Sequence, residues 1–266
     1  MTWIIGASTM FGYGIVLSDT CVTYTENGQT KTVDALQKAF PLGPFVVGGF
    51  AGSVYIGFQM LHHLREFLHI PESEGNCAWK VDWVAENWQP IAQEIFQKSP
   101  SEEQAAGSHL ILVGAHPTED VGIHGFARIH IAVLKSPNFQ PVVQQGKFLT
   151  IESIGSGTQA YEKELKEILE DPFSMAQMEV NNQGGMGTIL KSRITDRLRK
   201  NPTTGVSQHL HAFLIKRGEI LGGNNDFTEW HQNGTKIEFK MPPIAQNYND
   251  LLEILKMPRG RAVIIS

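Results

Sequence analysis

Residues 38–53 read K-A-F-P-L-G-P-F-V-V-G-G-F-A-G-S, two short apolar runs on either side of a turn at residues 41–44. Proline and glycine favour the backbone angles of tight turns, so the two runs are predicted to be paired strands. From Ser53 onwards, apolar residues recur at helical spacing as far as Pro71. The stretch therefore predicts a hairpin that leads directly into a helix.

On both sides of this stretch the periodicity alternates between strand-like and helix-like blocks. Strands are predicted at 3–9, 13–24, 109–115, 123–134, 148–154, 209–215 and 219–221, and helices at 79–98, 161–169 and 189–198. Pro90, inside the first of these helices, predicts a kink or a break. This order of blocks suits two stacked sheets with helices on both outer faces, an α+β fold built as a four-layer αββα sandwich.

The chain changes in character at about residue 223. Residues 1–223 carry the pattern just described and are predicted to form one domain. Residues 224–266 are predicted to form an extension packed on that domain, with a strand at 236–239, a helix at 248–255 and a strand at 261–265. The sequence does not indicate what this extension does.

Charge and composition exclude several classes of function. The 266 residues hold 22 Lys plus Arg and 27 Asp plus Glu, for a formal charge of -5, and they contain no basic block that could bind nucleic acid. No uncharged apolar window of about 20 residues occurs, so we expect a cytoplasmic protein without membrane partners. Cys21 and Cys77 are predicted to be free thiols, and His209 and His211 have no further ligands at metal-binding spacing, so no metal site is predicted.

Thr2 offers a nucleophile and a base on one residue if Met1 is removed. A threonine hydroxyl is a weak nucleophile and needs a base within hydrogen-bond reach, which a free α-amine on the same residue supplies. The α-amine has an ordinary pKa of about 7.7 to 8.0, and a neighbouring ammonium group lowers it by like-charge repulsion. A nearby lysine would therefore increase the fraction of amine that can accept a proton.

Three later segments provide the context that Thr2 needs. Residues 14–23 read G-I-V-L-S-D-T-C-V-T, with an apolar run that ends at Asp19. Lys38 precedes Gly52 within the opening stretch, and Ser156 lies in a G-S-G turn between a predicted strand and a predicted helix. In these segments and their spacing the sequence resembles the proteasome β-type peptidases, which are N-terminal nucleophile hydrolases, including the bacterial homologues that lack a propeptide.

The resemblance implies a mechanism as well as a fold of the N-terminal nucleophile hydrolase type. Thr2 Oγ would attack a peptide carbonyl, and the Gly52 N–H would hold the oxyanion that forms. Lys38, held in place by Asp19, would lower the pKa values of the amine and the hydroxyl, and Ser156 would complete the polar network. No metal or organic cofactor is needed.

Substrate-binding positions follow from the same resemblance. Thr23, Phe50 and Val54 stand at positions where the family binds its substrate. Phe50 and Val54 would border the pocket for the residue before the cut, and the bulky Phe50 predicts a restricted pocket.

One motif departs from the family pattern. Residues 201–205 read N-P-T-T-G, where the family usually shows an Asp, two residues, a Ser and a Gly, so Asn201 replaces the Asp and Thr204 replaces the Ser. Asn cannot carry the negative charge that would orient the Ser156 hydroxyl and the α-amine, although its amide can still hydrogen-bond to either group. Reduced or retuned activity therefore stays open.

The resemblance also implies an assembly, namely stacked homo-oligomeric rings whose threonines face an inner chamber and act on peptide or unfolded protein. The need for an ATP-dependent unfoldase as a partner stays open. So do two other functions: an N-terminal-nucleophile amidohydrolase acting on small amides, and a catalytically silent ring subunit that serves as a scaffold. The Asn201 replacement favours the silent scaffold.

Overall fold

The structure, a computed structural model, describes most of the chain. The described residues are 2–9, 11–26, 28–68, 80–117, 126–146, 149–156, 158–171, 194–202, 205–222, 227–230, 236–239, 242–256 and 264–265. Outside them lie Met1, Cys77, Thr204 and parts of the predicted elements, at 79, 123–125, 148, 189–193 and 261–263. Within the described ranges, no helix has the length and apolar character needed to cross a lipid bilayer.

Strands and helices alternate in blocks along the chain. The strands are β1 (Ile4–Ser8), β2 (Gly14–Asp19), β3 (Cys21–Glu26), β4 (Gln29–Asp34), β5 (Ala39–Pro41), β6 (Val46–Ser53), β7 (Ser108–Gly114), β8 (His130–Lys135), β9 (Val142–Gln145), β10 (Ile151–Ile154), β11 (Leu210–Lys216), β12 (Glu219–Gly222), β13 (Phe227–Trp230), β14 (Lys236–Phe239) and β15 (Ile264–Ile265). The helices are α1 (Val54–Leu68), α2 (Val81–Lys98), α3 (Ser101–Ala105), α4 (Thr158–Glu170), α5 (194–200) and α6 (Tyr248–Leu255).

The described strands form three sheets. One has five strands in the order β10-β1-β2-β11-β12, and one is the hairpin β13-β14. The largest has the order β4-β3-β15-β6-β7-β8-β9, with β5 pairing additionally with β6. The pairs between these strands are antiparallel, and one parallel bridge joins Leu36 to Ala245. Together with the six helices this is the mixed architecture expected of an α+β fold.

An apolar cluster lies between the two large sheets. Ile4 and Val16 of the five-stranded sheet share it with Ile111 and Val113 of the eight-stranded sheet, and all four side chains are buried. Successive residues of a strand point to opposite faces. The strands that contribute to this cluster therefore present a second set of side chains to the outside of each sheet.

Two further apolar clusters each join one of the large sheets to helices. Ile5 and Leu17 of the five-stranded sheet form a cluster with Leu165 of α4 and Ile194 of α5. The eight-stranded sheet has its own cluster with α1, α2 and α6, which includes Phe50, Leu64, Leu112, Trp88 and Leu252. Because both faces are covered, β1 and β2 read as continuous buried runs.

Two elements after residue 223 are built into the eight-stranded side of the molecule. Helix α6 buries Leu251, Leu252 and Leu255 in the cluster below that sheet. Strand β15 lies between β3 and β6, pairing with both. The strand at 236–239 and the helix at 248–255 have the bounds predicted from the sequence.

Two local predictions were wrong, each for a physical reason, and of the kink or break predicted at Pro90 the break does not occur. The single strand predicted over 13–24 is two strands in different sheets, because the chain turns at Thr20, whose carbonyl accepts the N–H groups of Ala35 and Leu36. Strand β4 was missed because its side chains are mostly exposed and show no apolar alternation. Helix α2 runs through Pro90 without a break. Because proline has no N–H, the Glu86 carbonyl loses its helical hydrogen-bond donor. Glu86 is exposed, so water can bind this carbonyl instead.

Candidate active site

A fully buried ion pair stands between the two large sheets. Lys38 Nζ donates to Asp19 Oδ1 at 2.7 Å, and both side chains have 0% exposure. Asp19 is the last residue of β2, while Lys38 immediately precedes β5 and its carbonyl accepts the N–H of Phe50 in β6 at 3.0 Å. The pair therefore ties the five-stranded sheet to the eight-stranded sheet.

Backbone donors surround the Asp19 carboxylate. Its Oδ1 accepts the N–H of Trp3 at 2.9 Å, and its Oδ2 accepts the N–H groups of Cys21 at 3.1 Å and Ser207 at 3.4 Å. Removing a charge from water costs several kcal/mol, which an ion pair offsets only when hydrogen bonds satisfy the remaining lone pairs. Asp19 meets that condition, so Lys38 is held in one position.

Thr2 lies beside this pair and is also fully buried. It precedes Trp3, whose N–H is bound by Asp19 and whose carbonyl accepts the Asp19 N–H at 3.0 Å. Its Oγ1 has no hydrogen-bond partner among the described residues. An unsatisfied buried hydroxyl costs about 1 to 3 kcal/mol. The described residues hold others, at Ser18 Oγ and Thr195 Oγ1, so the Thr2 hydroxyl is distinguished by its place next to the Asp19–Trp3 contact and not by the lack of a partner alone.

Gly155 closes the space on the other side of Thr2. Strand β10 pairs with β1 and ends next to it, which brings the following turn onto Thr2. Gly155 has φ +95°, and a Cβ at this position would lie 2.2 Å from the Thr2 carbonyl oxygen. Only glycine fits this approach. Ser156, the next residue, is exposed.

Gly52 lies on β6, the strand in which the Phe50 N–H donates to the Lys38 carbonyl. It comes two residues after Phe50 in β6, which is roughly 7 Å further along the strand. Its φ is +99°, and a Cβ would lie 2.4 Å from the Gly107 carbonyl oxygen, so glycine is required here as well. Across the sheet, β15 pairs with Gly52 on one side and with Thr23 of β3 on the other.

Ser53 caps the helix that follows Gly52. Its Oγ accepts the N–H of Ile56 at 3.1 Å and donates to Glu103 Oε2 at 2.6 Å. Burial raises the pKa of the Glu103 carboxyl, and the hydrogen bond from Ser53 opposes that shift. These contacts fix the first turn of α1 and with it the path of the chain through Gly52.

Phe50 and Val54, both predicted to contact substrate, are fully buried. The Phe50 ring lies 5.1 Å from the Phe58 ring, and a Cβ on Gly57 would meet the Phe50 ring at 2.1 Å. The ring therefore rests directly on α1. The substrate contact predicted for Phe50 and Val54 stays a prediction.

No protein-family model matches this sequence, and a search of curated proteins finds no match either. Any inference about the chemistry of the site therefore rests on the contacts between its own residues.

The late motif is placed differently from the other predicted residues. Asn201 is exposed just after α5, where its N–H donates to the Arg197 carbonyl at 2.8 Å, and Thr204 lies outside the described residues. Ser207, which sequence reasoning missed, instead reaches the Asp19 carboxylate. Ser207 lies close to Asp19 because β11 pairs with β2, with Leu210 opposite Asp19. No sequence motif predicts this pairing.

Ser207 also anchors a second polar cluster. Its Oγ accepts hydrogen bonds from Thr20 Oγ1 at 3.0 Å and from the His209 N–H at 2.8 Å. His209 Nδ1 lies 2.9 Å from Asp34 Oδ2. Burial would raise the pKa of Asp34, but hydrogen bonds from His209 and Ser207 outweigh it and hold that pKa below its usual value.

Cys21 does not compete as a nucleophile. Burial, with the Asp19 charge as the next contribution, raises the pKa of its thiol to about 11. Cys21 is a free thiol, as predicted, and at neutral pH it remains protonated.

Proposed function

We propose that this chain is a threonine-type peptidase in which Thr2 attacks the peptide bond once cleavage after Met1 frees its α-amine. One observation carries the proposal: the fully buried Lys38–Asp19 ion pair shares its carboxylate with the N–H of Trp3, next to a Thr2 hydroxyl that is buried and unsatisfied. On this proposal Thr2 supplies the nucleophile, Lys38 a fixed positive charge and Asp19 the carboxylate that orients that charge, and all three residues are buried.

Stability alone is a poor explanation for the ion pair. Apolar side chains of similar volume usually stabilise a core as well as a buried ion pair does. A buried charge beside a nucleophile is instead typical of active sites, because it shifts the protonation equilibria of neighbouring groups. The Lys38 ammonium would favour the neutral, proton-accepting form of an amine on Thr2.

The proposed reaction proceeds through an ester. Thr2 Oγ1 attacks the carbonyl carbon while the α-amine takes the hydroxyl proton, and the N–H of Gly52 stabilises the oxyanion. The carbon–nitrogen bond then breaks, and the leaving amine takes the proton from the α-amine. Water, activated by the same amine, hydrolyses the ester and restores Thr2.

We also infer that the layers are stacked as in N-terminal nucleophile hydrolases, as a four-layer αββα sandwich. Support comes from the three apolar clusters, one between the large sheets and one on the outer side of each, against α4 and α5 or against α1, α2 and α6. Stacked homo-oligomeric rings in the cytoplasm belong to the same proposal, and native mass spectrometry would test the assembly.

A peptide epoxyketone tests the chemistry, because this reagent joins both the hydroxyl and the amine of an N-terminal threonine. We expect one covalent adduct on Thr2 of a chain that has lost Met1, detected by intact mass and peptide mapping. Thr2→Ala should form no adduct, whereas Thr25→Ala, which alters an exposed threonine of β3, should react like the parent chain.

Other outcomes distinguish the alternatives. Retention of Met1 together with the absence of an adduct would favour a silent scaffold. An adduct accompanied by turnover of small amides but not of a peptide library would favour a small-amide hydrolase. An adduct that survives Thr2→Ala would exclude Thr2 as the nucleophile.

A further inference from the structure

Strand β15 fills a slot that is one strand wide in the eight-stranded sheet. Ile264 pairs with Thr23 of β3 on one side and with Ser53 of β6 on the other, and Ile265 pairs with Gly52. Neighbouring strands lie about 4.8 Å apart, so β3 and β6 are separated here by about 10 Å. That separation is too wide for direct hydrogen bonds and matches the width of one extended chain.

The slot begins at the Asp19–Lys38 pair. On the β6 side, β5 covers the strand from Val47 to Gly49, and the Phe50 N–H is bound by the Lys38 carbonyl, so the open edge begins beyond Phe50. On the β3 side, the strand begins at Cys21, whose N–H is bound by Asp19. Both flanks of the slot are therefore fixed by the two residues of the ion pair.

Within the described residues, β15 contributes Ile264 and Ile265 to the sheet, whereas β3 and β4 pair over the six residues from Cys21 to Glu26. These two residues pair with one residue of β3 and two of β6, so they cover only part of the slot. A longer extended peptide entering the slot could pair with more of β3 and β6 than β15 does.

We propose that β15 occupies the substrate groove of this protein in the manner of a bound peptide, and that an extended peptide segment binds by taking its place between β3 and β6. This proposal rests on the peptidase function proposed above. Main-chain groups on both flanks would recognise the ligand, so the ligand class is an extended polypeptide with free backbone N–H and C=O groups. A small amide cannot pair with both strands.

Two altered chains and one control test the proposal. Deletion of residues 264–266 removes β15, and Ile264→Pro keeps the length but deprives the strand of a backbone donor. Deletion of Ser266 alone leaves both paired residues in place. The probe is a fluorescent peptide with the sequence of residues 257–266, M-P-R-G-R-A-V-I-I-S, with a scrambled peptide as its control.

Peptide binding is measured by fluorescence anisotropy in chains that also carry Thr2→Ala, so that the readout does not depend on catalysis. We expect the deletion of 264–266 and Ile264→Pro to bind the probe at least tenfold more tightly than the parent chain, and the Ser266 deletion to bind it like the parent. Should the deletion fail to fold by circular dichroism, Ile264→Pro carries the same test. Equal or absent binding in folded variants and parent would overturn the proposal.

The rate of epoxyketone labelling, measured with Thr2 intact, separates this proposal from the peptidase proposal. We expect labelling to be several-fold faster without β15 and to be slowed again by excess probe peptide. Labelling at the same rate in all chains, without peptide binding, would support the peptidase proposal and refute the proposal that β15 occupies the substrate groove. Peptide binding gained without any labelling would support the proposal for β15 and refute the peptidase proposal.

Discussion

Replacing Lys38 with Met tests the buried ion pair most directly, because Met fills a similar volume without the charge. The Asp19 carboxylate, at 0% exposure, would lose its only side-chain cation among the described contacts and would keep three backbone N–H donors. Removing one partner of a buried ion pair costs about 3 to 5 kcal/mol, and the remaining donors place Lys38→Met towards the lower end. For a chain of this size a loss near 3 kcal/mol corresponds to a fall in Tm of roughly 6 to 12 °C.

The assay is thermal unfolding followed by circular dichroism, combined with epoxyketone labelling well below the melting transition. Lys31→Met is the matched control, since Lys31 pairs with Glu26 on the surface, and we expect it to change Tm little. We also expect Lys38→Met to label Thr2 far more slowly than the control.

Two results would refute this reasoning. An unchanged Tm would mean that the Asp19 charge does not depend on Lys38. A lower Tm with unchanged labelling of Thr2 would make Lys38 a structural residue and remove its electrostatic role in catalysis.

Three further predictions concern residues around the site. Gly155→Ala should lower Tm and abolish labelling of Thr2, because the new Cβ would lie 2.2 Å from the Thr2 carbonyl oxygen. Gly28→Ala is the control, since Gly28 also has a positive φ but a Cβ there would have no atom within 4 Å. This control should show the cost of backbone strain alone, about 1 to 3 kcal/mol. The pKa of Asp34 is held below its usual value, so the stability that Asp34 contributes is present above its unfolded pKa and is lost as the pH falls through its folded pKa. Asp34→Asn should therefore make the free energy of unfolding, measured with urea, fall less steeply as the pH is lowered. An unaltered fall would contradict this. Phe50→Val should open the space above α1 and shift cleavage of a peptide library towards larger residues before the cut, with some loss of stability, and an unchanged preference would place the substrate pocket elsewhere.

The sequence predicted the parts of the fold that depend on local periodicity. The hairpin β5–β6 and helix α1 follow from the turn residues and the change of period at Ser53, and the structure has them there. Asp19 and Lys38 were predicted to be partners from a resemblance, and they are in contact. These features need only a few tens of neighbouring residues.

The sequence could not reveal contacts that depend on long-range pairing. Ser207 reaches Asp19 through the pairing of β2 with β11, and β15 enters the sheet between strands that begin more than two hundred residues earlier. Neither arrangement leaves a local pattern. Strand β4 was invisible for a different reason, since an exposed edge strand has no buried face to produce alternation.

The sequence distances spanned by the Asp19 carboxylate suggest an order of events during synthesis. Its donors at Trp3 and Lys38 lie 16 and 19 residues away, but the N–H of Ser207 lies 188 residues away. Closing so long a loop comes late compared with local pairing. A nascent chain therefore holds Thr2 before it holds the complete charge network, and on the proposed chemistry the ability to cut peptides would arise only as the fold is completed.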